Sequence, residues 1–561
     1  MMSYLDLLSP WPAAVLPHLY RFPDQPDIAC YGPGNHGHWS LQANTTAASA
    51  FAVLAADPHL DESKTSISRA EILDHALAMI RFTTATHHSG KLDAADGKKW
   101  GHSWISGLCL ERLMHGIEAL GDQIPEDLTT QLNRVLVSEA EWLVKNYPVT
   151  AGLVENNKPE SNIWNGCLLH RTANRVPNSP QADLFREKGT AFHLNGISTP
   201  DDATIEALIA GKPLSEWHVG PNMHNSMGCN HHGYQNVGYM VICLSNIAMM
   251  HFSCKTMGWT PPPGLYHHAE DLWKVVKACT FDDGRLFRIG GDTRVRYCYC
   301  QDYAIPAWLW ARDYLGDMDT LTYEKGWREQ VSTEGTTNGD GSFLSSRLEG
   351  LKKVSPLYYL RLEGDRACAL GMGAYWNQKH QMDQTPAPSE KPITLSSWQD
   401  DYHGSLLARG ENRMASWTWR AAEPPQGLMV PVNQSAMAEW QNNLSGRILG
   451  AGRIHSYMCE WQQAETFIGG FATCGTFTVR TQAGVAEGEL ETDIARIDLA
   501  CIALPDDRTM VILQRARALN RPYFREIKGL MLQVGNDLFN GGQRELQSMD
   551  GRQTLVSCPG K

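Results

Sequence analysis

Thr333-Glu334-Gly335-Thr336-Thr337-Asn338-Gly339-Asp340-Gly341-Ser342 separates two kinds of sequence. Upstream, Ala70-Glu71-Ile72-Leu73-Asp74-His75-Ala76-Leu77-Ala78-Met79-Ile80 and Leu128-Thr129-Thr130-Gln131-Leu132-Asn133-Arg134-Val135-Leu136-Val137 place apolar residues three to four apart, the spacing of a helix with a buried stripe. Downstream, Ala415-Ser416-Trp417-Thr418-Trp419-Arg420, Thr476-Phe477-Thr478-Val479-Arg480-Thr481 and Thr509-Met510-Val511-Ile512-Leu513-Gln514 read as strands between Gly, Asp and Asn turns. The chain is therefore read as a multidomain α-then-β protein: a helical domain over residues 1–335 and an antiparallel β domain, a sandwich, over residues 345–561.

At 561 residues, with 42% hydrophobic and 20% charged side chains, the chain has ordinary globular composition and is too long for one core. Its formal charge of −12 argues against general nucleic-acid binding, so an anionic ligand has to be met by a local basic groove. Fourteen cysteines follow no framework spacing, and Cys298-Tyr299-Cys300 is not the C-x-x-C of redox or zinc sites, so buried reduced thiols are expected. The first ten residues show no basic start and no continuous apolar run, hence no visible secretory signal. No run of about twenty apolar residues stands out, so no membrane span is expected.

Three constellations concentrate chemistry. The first, Lys158-Pro159-Glu160-Ser161-Asn162-Ile163-Trp164-Asn165-Gly166, sets Asn162 and Asn165 on one helical face, where an amide either contacts a substrate carboxylate or bridges helices. The second, Cys229-Asn230-His231-His232-Gly233-Tyr234-Gln235-Asn236-Val237-Gly238-Tyr239, read as a helix, stacks His232 and Tyr239 two turns apart and offsets His231 and Tyr234 by three. A His beside a Tyr suits proton abstraction and return. Histidines hydrogen-bonded within a loop are the structural alternative, and zinc through Cys229, His231 and His232 matches no common ligand spacing. The third, Asp283 to Tyr297, carries Arg285, Arg288, Arg294 and Arg296 around Gly290-Gly291, an anion-binding wall unless its aspartates absorb the charge.

No G-x-S-x-G elbow is present, so a serine hydrolase has no support. Glu155, Glu160, Asp292 and Asp302 are the carboxylates near these segments for a glycosidase-type pair, and Trp39, Trp104 and Trp217 lie in loops where an indole can stack on a sugar.

The order Asn162-x-x-Asn165-Gly166, then His232-Gly233-Tyr234-x-x-x-x-Tyr239, then Gly290-Gly291-Asp292-x-Arg294, followed by a β-rich half, resembles the heparinase II/III-like polysaccharide lyases. The resemblance covers nearly the whole chain and implies an (α/α) toroid packed on an antiparallel β-sandwich, with substrate in the groove between them. Carried over by motif, Tyr239, His232, His231, Asn165 and Arg294 form the catalytic set, with Asn165 or Asn162 neutralising a uronate carboxylate and Tyr239 and His232 moving protons. Asn162, Asn230, Tyr234, Trp164, Arg288, Arg296, Tyr297 and His403 are the implied substrate contacts, with His455 as the other histidine of the β domain. His231 stands where an Asn before His-Gly is usual, with Asn230 one place earlier, which leaves the neutralising amide open.

The implied activity is β-elimination on an anionic polysaccharide or oligosaccharide; a glycoside hydrolase with paired carboxylates and a non-catalytic glycan-binding protein are the alternatives. Elimination requires neither a redox cofactor nor an activated water, so no cofactor is expected. A structural divalent cation and an oligomer are both compatible with the sequence, although no dedicated ligand cluster stands out in it.

Overall fold

The computed structural model describes residues 2–291, 298–382, 397–422, 424–438, 444–482, 491–520, 522–532, 535 and 542–556. Its helical half is built from twelve principal helices: α1 (Tyr4–Leu8), α2 (His38–Ala56), α3 (Arg69–Ala85), α4 (Ser106–Leu120), α5 (Glu126–Asn146), α6 (Pro159–Arg175), α7 (Ala182–Leu194), α8 (Val237–Met257), α9 (Ala269–Ala278), α10 (Ala304–Leu315), α11 (Thr320–Asn338) and α12 (Pro356–His380). The even-numbered helices pack in sequence, α2 on α4, α4 on α6 and onward, until α12 returns to α2 and closes a ring. The odd-numbered helices pack outside it, an (α/α) toroid.

The inner helices are buried nearly all round, whereas outer helices such as α5 alternate buried and exposed residues. Contrary to the expectation that no such run occurs, Val237–Met257 is long and apolar enough to cross a membrane, but its apolar window is wholly buried within the structure. No disulfide links the described cysteines, most of which are buried.

Charged pairs cross-link these inner helices. Arg171 of α6 grips Glu111 of α4 through Nε and one terminal nitrogen, each at 2.8 Å, reaches Glu118 at 2.9 Å and donates to Ser253 of α8 at 3.0 Å. Arg112 of α4 donates to Asp365 of α12 at 2.8 Å, and Arg366 of α12 pairs with Asp302 at 2.9 Å and Glu334 of α11 at 2.6 Å. All of these groups are buried.

The expected domain break at 335–345 is corrected by the structure, because α12 runs from Pro356 to His380 and strands begin only at Ser397. The Gly-rich stretch that prompted it is the end of a helix: Gly339, at φ +69°, caps α11 in the left-handed region, where glycine carries no Cβ penalty, and the chain turns back into α12.

Beyond α12, Ser397–Asp400, Ser405–Arg409, Arg413–Thr418 and Gln426–Pro431 form an antiparallel sheet in sequence order. A second antiparallel sheet joins Ile454–Phe467, Gly470–Gln482, Thr492–Ala503 and Met510–Ala518. Side-chain alternation makes the first sheet an adaptor: Leu406, Ala415 and Trp417 enter the core between the sheets, whereas Leu407, Met414 and Leu428 join the core of the toroid. The α-then-β architecture with a β-sandwich is as expected.

Replacing Arg171 by Met is expected to destabilise the fold by about 3–5 kcal/mol, because Glu111 and Glu118 are left buried without their cation. A fall in Tm with unchanged far-ultraviolet circular dichroism below the transition checks it; an unaltered Tm contradicts it.

Candidate functional site

The inner helices α2, α4, α6, α8 and α12 all present their N-terminal turns to one cleft of about 630 Å³, a volume typical of ligand sites. Each helix start carries the positive end of its dipole, so the cleft favours negative charge before any side chain is counted.

Three walls surround it. One is an aromatic and cationic ledge in which Trp39 of α2 lies 4.8 Å from Tyr358 of α12, with the Arg361 guanidinium 5.8 Å and 5.4 Å from their ring centres. Another pairs Trp104 with Trp164 at 5.9 Å, and Lys158 Nζ lies 4.7 Å over the Trp104 ring. Trp39 and Trp104 remain 41% and 36% exposed, so both indoles are open to a ligand. Glu160, His38 and Arg112 also line the cleft. Burial, with the nearby charge of Arg361, lowers the His38 pKa and favours its neutral form.

The third wall is His231, His232 and Tyr239. Their segment is not the helix expected. Asn230–His231 and Tyr234–Gln235 pair as a two-stranded hairpin whose turn is His232-Gly233, at φ +59° and +87°. Positive φ at both central positions is the primed turn that matches strand twist, and Gly233 adopts it without strain. Helix α8 begins at Val237, capped by Asn236, whose side chain accepts from the Tyr239 amide at 3.2 Å. Turn and cap together bring the His231 ring to 3.5 Å from that of Tyr239, stacked, with His232 edge-on to Tyr239 at 5.7 Å. The His/Tyr grouping read from a helical period is thus formed by a hairpin facing a helix start. His231 and Tyr239 are largely buried and His232 is exposed.

Other expected site residues lie elsewhere. Asn162 is fully buried and braces the backbone, donating to Thr150 O at 2.8 Å and Asn195 O at 2.7 Å. Asn165 is also fully buried, with its amide 3.4 Å from Trp104 O, behind the indole ledge rather than on it. Trp164 does line the cleft, and its Nε1 donates to Trp104 O at 3.0 Å. Tyr234 is buried opposite His231 in the hairpin. Arg288 is half-buried outside the cleft lining; Arg294, Arg296 and Tyr297 lie outside the described residues.

His403, from the β domain, is wholly buried and does not line the cleft. Its Nδ1 bonds Asp400 at 2.6 Å and its Nε2 bonds Asn230 Oδ1 at 3.1 Å, while the Asn230 amide donates to Val154 O at 3.0 Å. Asn230 adjoins His231, so this chain of bonds anchors the hairpin to the sandwich. His455 is remote, bonded to the Gly450 amide at 2.9 Å within the β domain.

Residues missed in the sequence are Arg361, Tyr358 and Arg112. The first two follow the misplaced boundary; Pro356 as a helix start before Tyr359-Leu360-Arg361-Leu362 was the available signal.

No family model matches the sequence, and no characterised protein matches it. Among solved structures, the chain is similar to a family 76 glycoside hydrolase from a bovine Bacteroides thetaiotaomicron strain, with 12% identity and a TM-score of 0.37, over 68% of this chain and 78% of that one.

Burial alone raises the Asp400 carboxyl, but the hydrogen bond and charge of His403, with the Ser226 hydroxyl at 2.5 Å, hold it down at about 2. A carboxyl depressed in the fold contributes stability above its unfolded pKa of about 3.9 and loses it as pH falls through the folded value. Asp400→Asn is therefore expected to lower Tm at neutral pH, with the gap from wild type closing between about pH 4 and 2. Thermal melts across that range test this, and a gap independent of pH excludes it.

Proposed function

We propose that the protein is a polysaccharide lyase that cleaves a uronate-containing glycan by β-elimination. The reading is carried by one observation: the His231/His232/Tyr239 group stands on the wall of a cleft whose other walls are indoles, phenols and cations.

The chemistry follows from the bond to be broken. The hydrogen on C5 of a uronate is weakly acidic, and its removal places charge on the adjoining carboxylate. Arg361 and Lys158, together with five helix starts, are the cleft's means of stabilising that charge; Arg294 joins them by resemblance. Tyr239 and His232 divide the proton work: one accepts the C5 proton, and one returns a proton to the O4 leaving oxygen as the C4–O bond breaks and C4=C5 forms. Asn165 acts in this reading through Trp104, whose carbonyl it bonds, rather than on the carboxylate itself. Trp39, Trp104 and Tyr358 supply faces for sugar rings.

Hydrolysis by paired carboxylates is the rival. Among the described residues lining the cleft, Glu160 is the one carboxylate, whereas a hydrolase of that kind needs two across the scissile bond. Asp292, another carboxylate singled out in the sequence, lies outside the described residues.

Incubation with glycosaminoglycans, alginate, ulvan and glucuronans is expected to raise ultraviolet absorbance as the unsaturated uronate forms, with mass spectrometry showing no uptake of water. Cleavage with water uptake and no absorbance rejects the lyase and directs mutation to Glu160. On the substrate so found, Tyr239→Phe is expected to lower kcat by about 100-fold or more while the protein stays folded, and near-normal turnover removes Tyr239 from proton transfer. Arg361→Gln is expected to weaken kcat/KM by about tenfold or more, as loss of a charge-assisted hydrogen bond to the carboxylate predicts; a neutral effect in steady-state kinetics removes it from the carboxylate seat.

A further inference from the structure

Away from the cleft, two histidines converge on one buried carboxylate. Asp202 lies in the short turn Pro200–Thr204 with no side-chain exposure. His267 Nε2 meets its Oδ2 at 2.9 Å and His268 Nε2 meets its Oδ1 at 2.8 Å, while the Thr199 amide donates to Oδ2 at 2.9 Å. One donor atom from each of the three side chains lies within 4.8 Å of the others. A third imidazole, His218, whose buried Nδ1 makes no hydrogen bond, stands outside this group of mutually close donors.

Two other clusters of the same residue types differ in where their protons must sit. In His87, His102 and Glu139, the Ser89 amide donates to His87 Nδ1 at 3.0 Å, which places the ring proton on Nε2, where it is given to Glu139 at 2.7 Å. In His224, Asp400 and His403, the His403 ring already uses both nitrogens, on Asp400 and on Asn230. His268 is arranged otherwise: behind it, Nδ1 faces Asp271 Oδ2 at 3.6 Å, so an outer carboxylate can hold the Nδ1 proton when Nε2 gives up its own to a metal ion. A carboxylate behind an imidazole is the arrangement that orients histidine ligands of metals.

We propose that Asp202, His267 and His268 bind a divalent transition-metal ion, zinc being the best match to two imidazoles and a carboxylate, with the fourth position left to a water. Zinc ligands at about 2.0–2.2 Å in tetrahedral geometry stand somewhat farther apart than these hydrogen-bonded atoms, so the donors open by a few tenths of an ångström to admit the ion. Each Nε2 yields the proton it now shares with Asp202, and those protons leave to solvent. The ion would fasten the connection 195–236 to the start of α9. That connection ends in the His231/His232 hairpin, and Asn225 bonds Asp201 at 3.0 Å beside the proposed ion. The proposal does not depend on the reaction assigned to the cleft.

The full-length protein, stripped with a chelator and dialysed against Zn²⁺, is expected to retain one equivalent of zinc and to gain Tm; Co²⁺ in its place is expected to show the visible bands of a tetrahedral site. His267→Gln combined with His268→Gln, and separately Asp202→Asn, are expected to lose that equivalent and the bands, and Asp271→Asn to weaken binding by about tenfold or more. Wild-type protein that retains no zinc overturns the proposal, as does zinc retained equally by the variants. Should Asp202→Asn fail to fold, the double histidine variant decides, since both rings are partly exposed.

Discussion

The inner ring is held by guanidinium groups buried against carboxylates. An inner helix enclosed on nearly every side has no exposed stripe to tell it which way to face, so apolar burial alone leaves its rotation and height poorly specified. Arg171, gripping Glu111 and Glu118 and touching Ser253, sets α4, α6 and α8 against one another; Arg112 with Asp365 sets α4 against α12. Farther round, Arg366 joins α12 to Asp302 and Glu334, and Arg312 bonds Asn377 of α12. Desolvating such charges costs several kcal/mol per ion, which good geometry only offsets. Their physical effect is one of register: a slip of one residue leaves an ion buried without its partner.

Register at the ring decides the cleft. With the inner helices held at matched heights, their first turns lie together at one end, and side chains far apart in sequence, from Trp39 to Arg361, become neighbours. The dipoles of those turns add to Lys158 and Arg361, giving an acidic protein a locally electropositive floor. The first sheet of the sandwich then packs its Leu407 face on the toroid, and Trp398 donates to Ser226 O at 2.7 Å, so the β domain reaches the connection that carries the hairpin. His403 completes that contact through Asn230.

Periodicity made the helices and strands legible because each type of element repeats its burial at its own spacing, and α3, α5 and the strand around Trp417 were visible for that reason. It failed in two places. A glycine-rich helix cap and a glycine-rich linker have the same composition, so sequence alone does not separate the Gly339 cap from a domain boundary. Seven-residue spacing likewise fits a helix and also a hairpin leading into one, and His232 and Tyr239 meet by the second route.

The amino-acid sequence by itself determined the order of helical and strand segments, the acidic charge, and the His/Tyr concentration at 231–239, because these rest on neighbours within a few residues. Tertiary structure decided the rest. Asn162 and Asn165 could each have faced solvent, ligand or backbone; ring closure buried both and turned their amides toward backbone carbonyls. Arg361 and Trp39 are more than three hundred residues apart, and Asp202 lies far from His267 and His268 in the chain, so only packing could bring them together. Local spacing carries no information about such contacts, because they are set by which helix follows which around a closed ring.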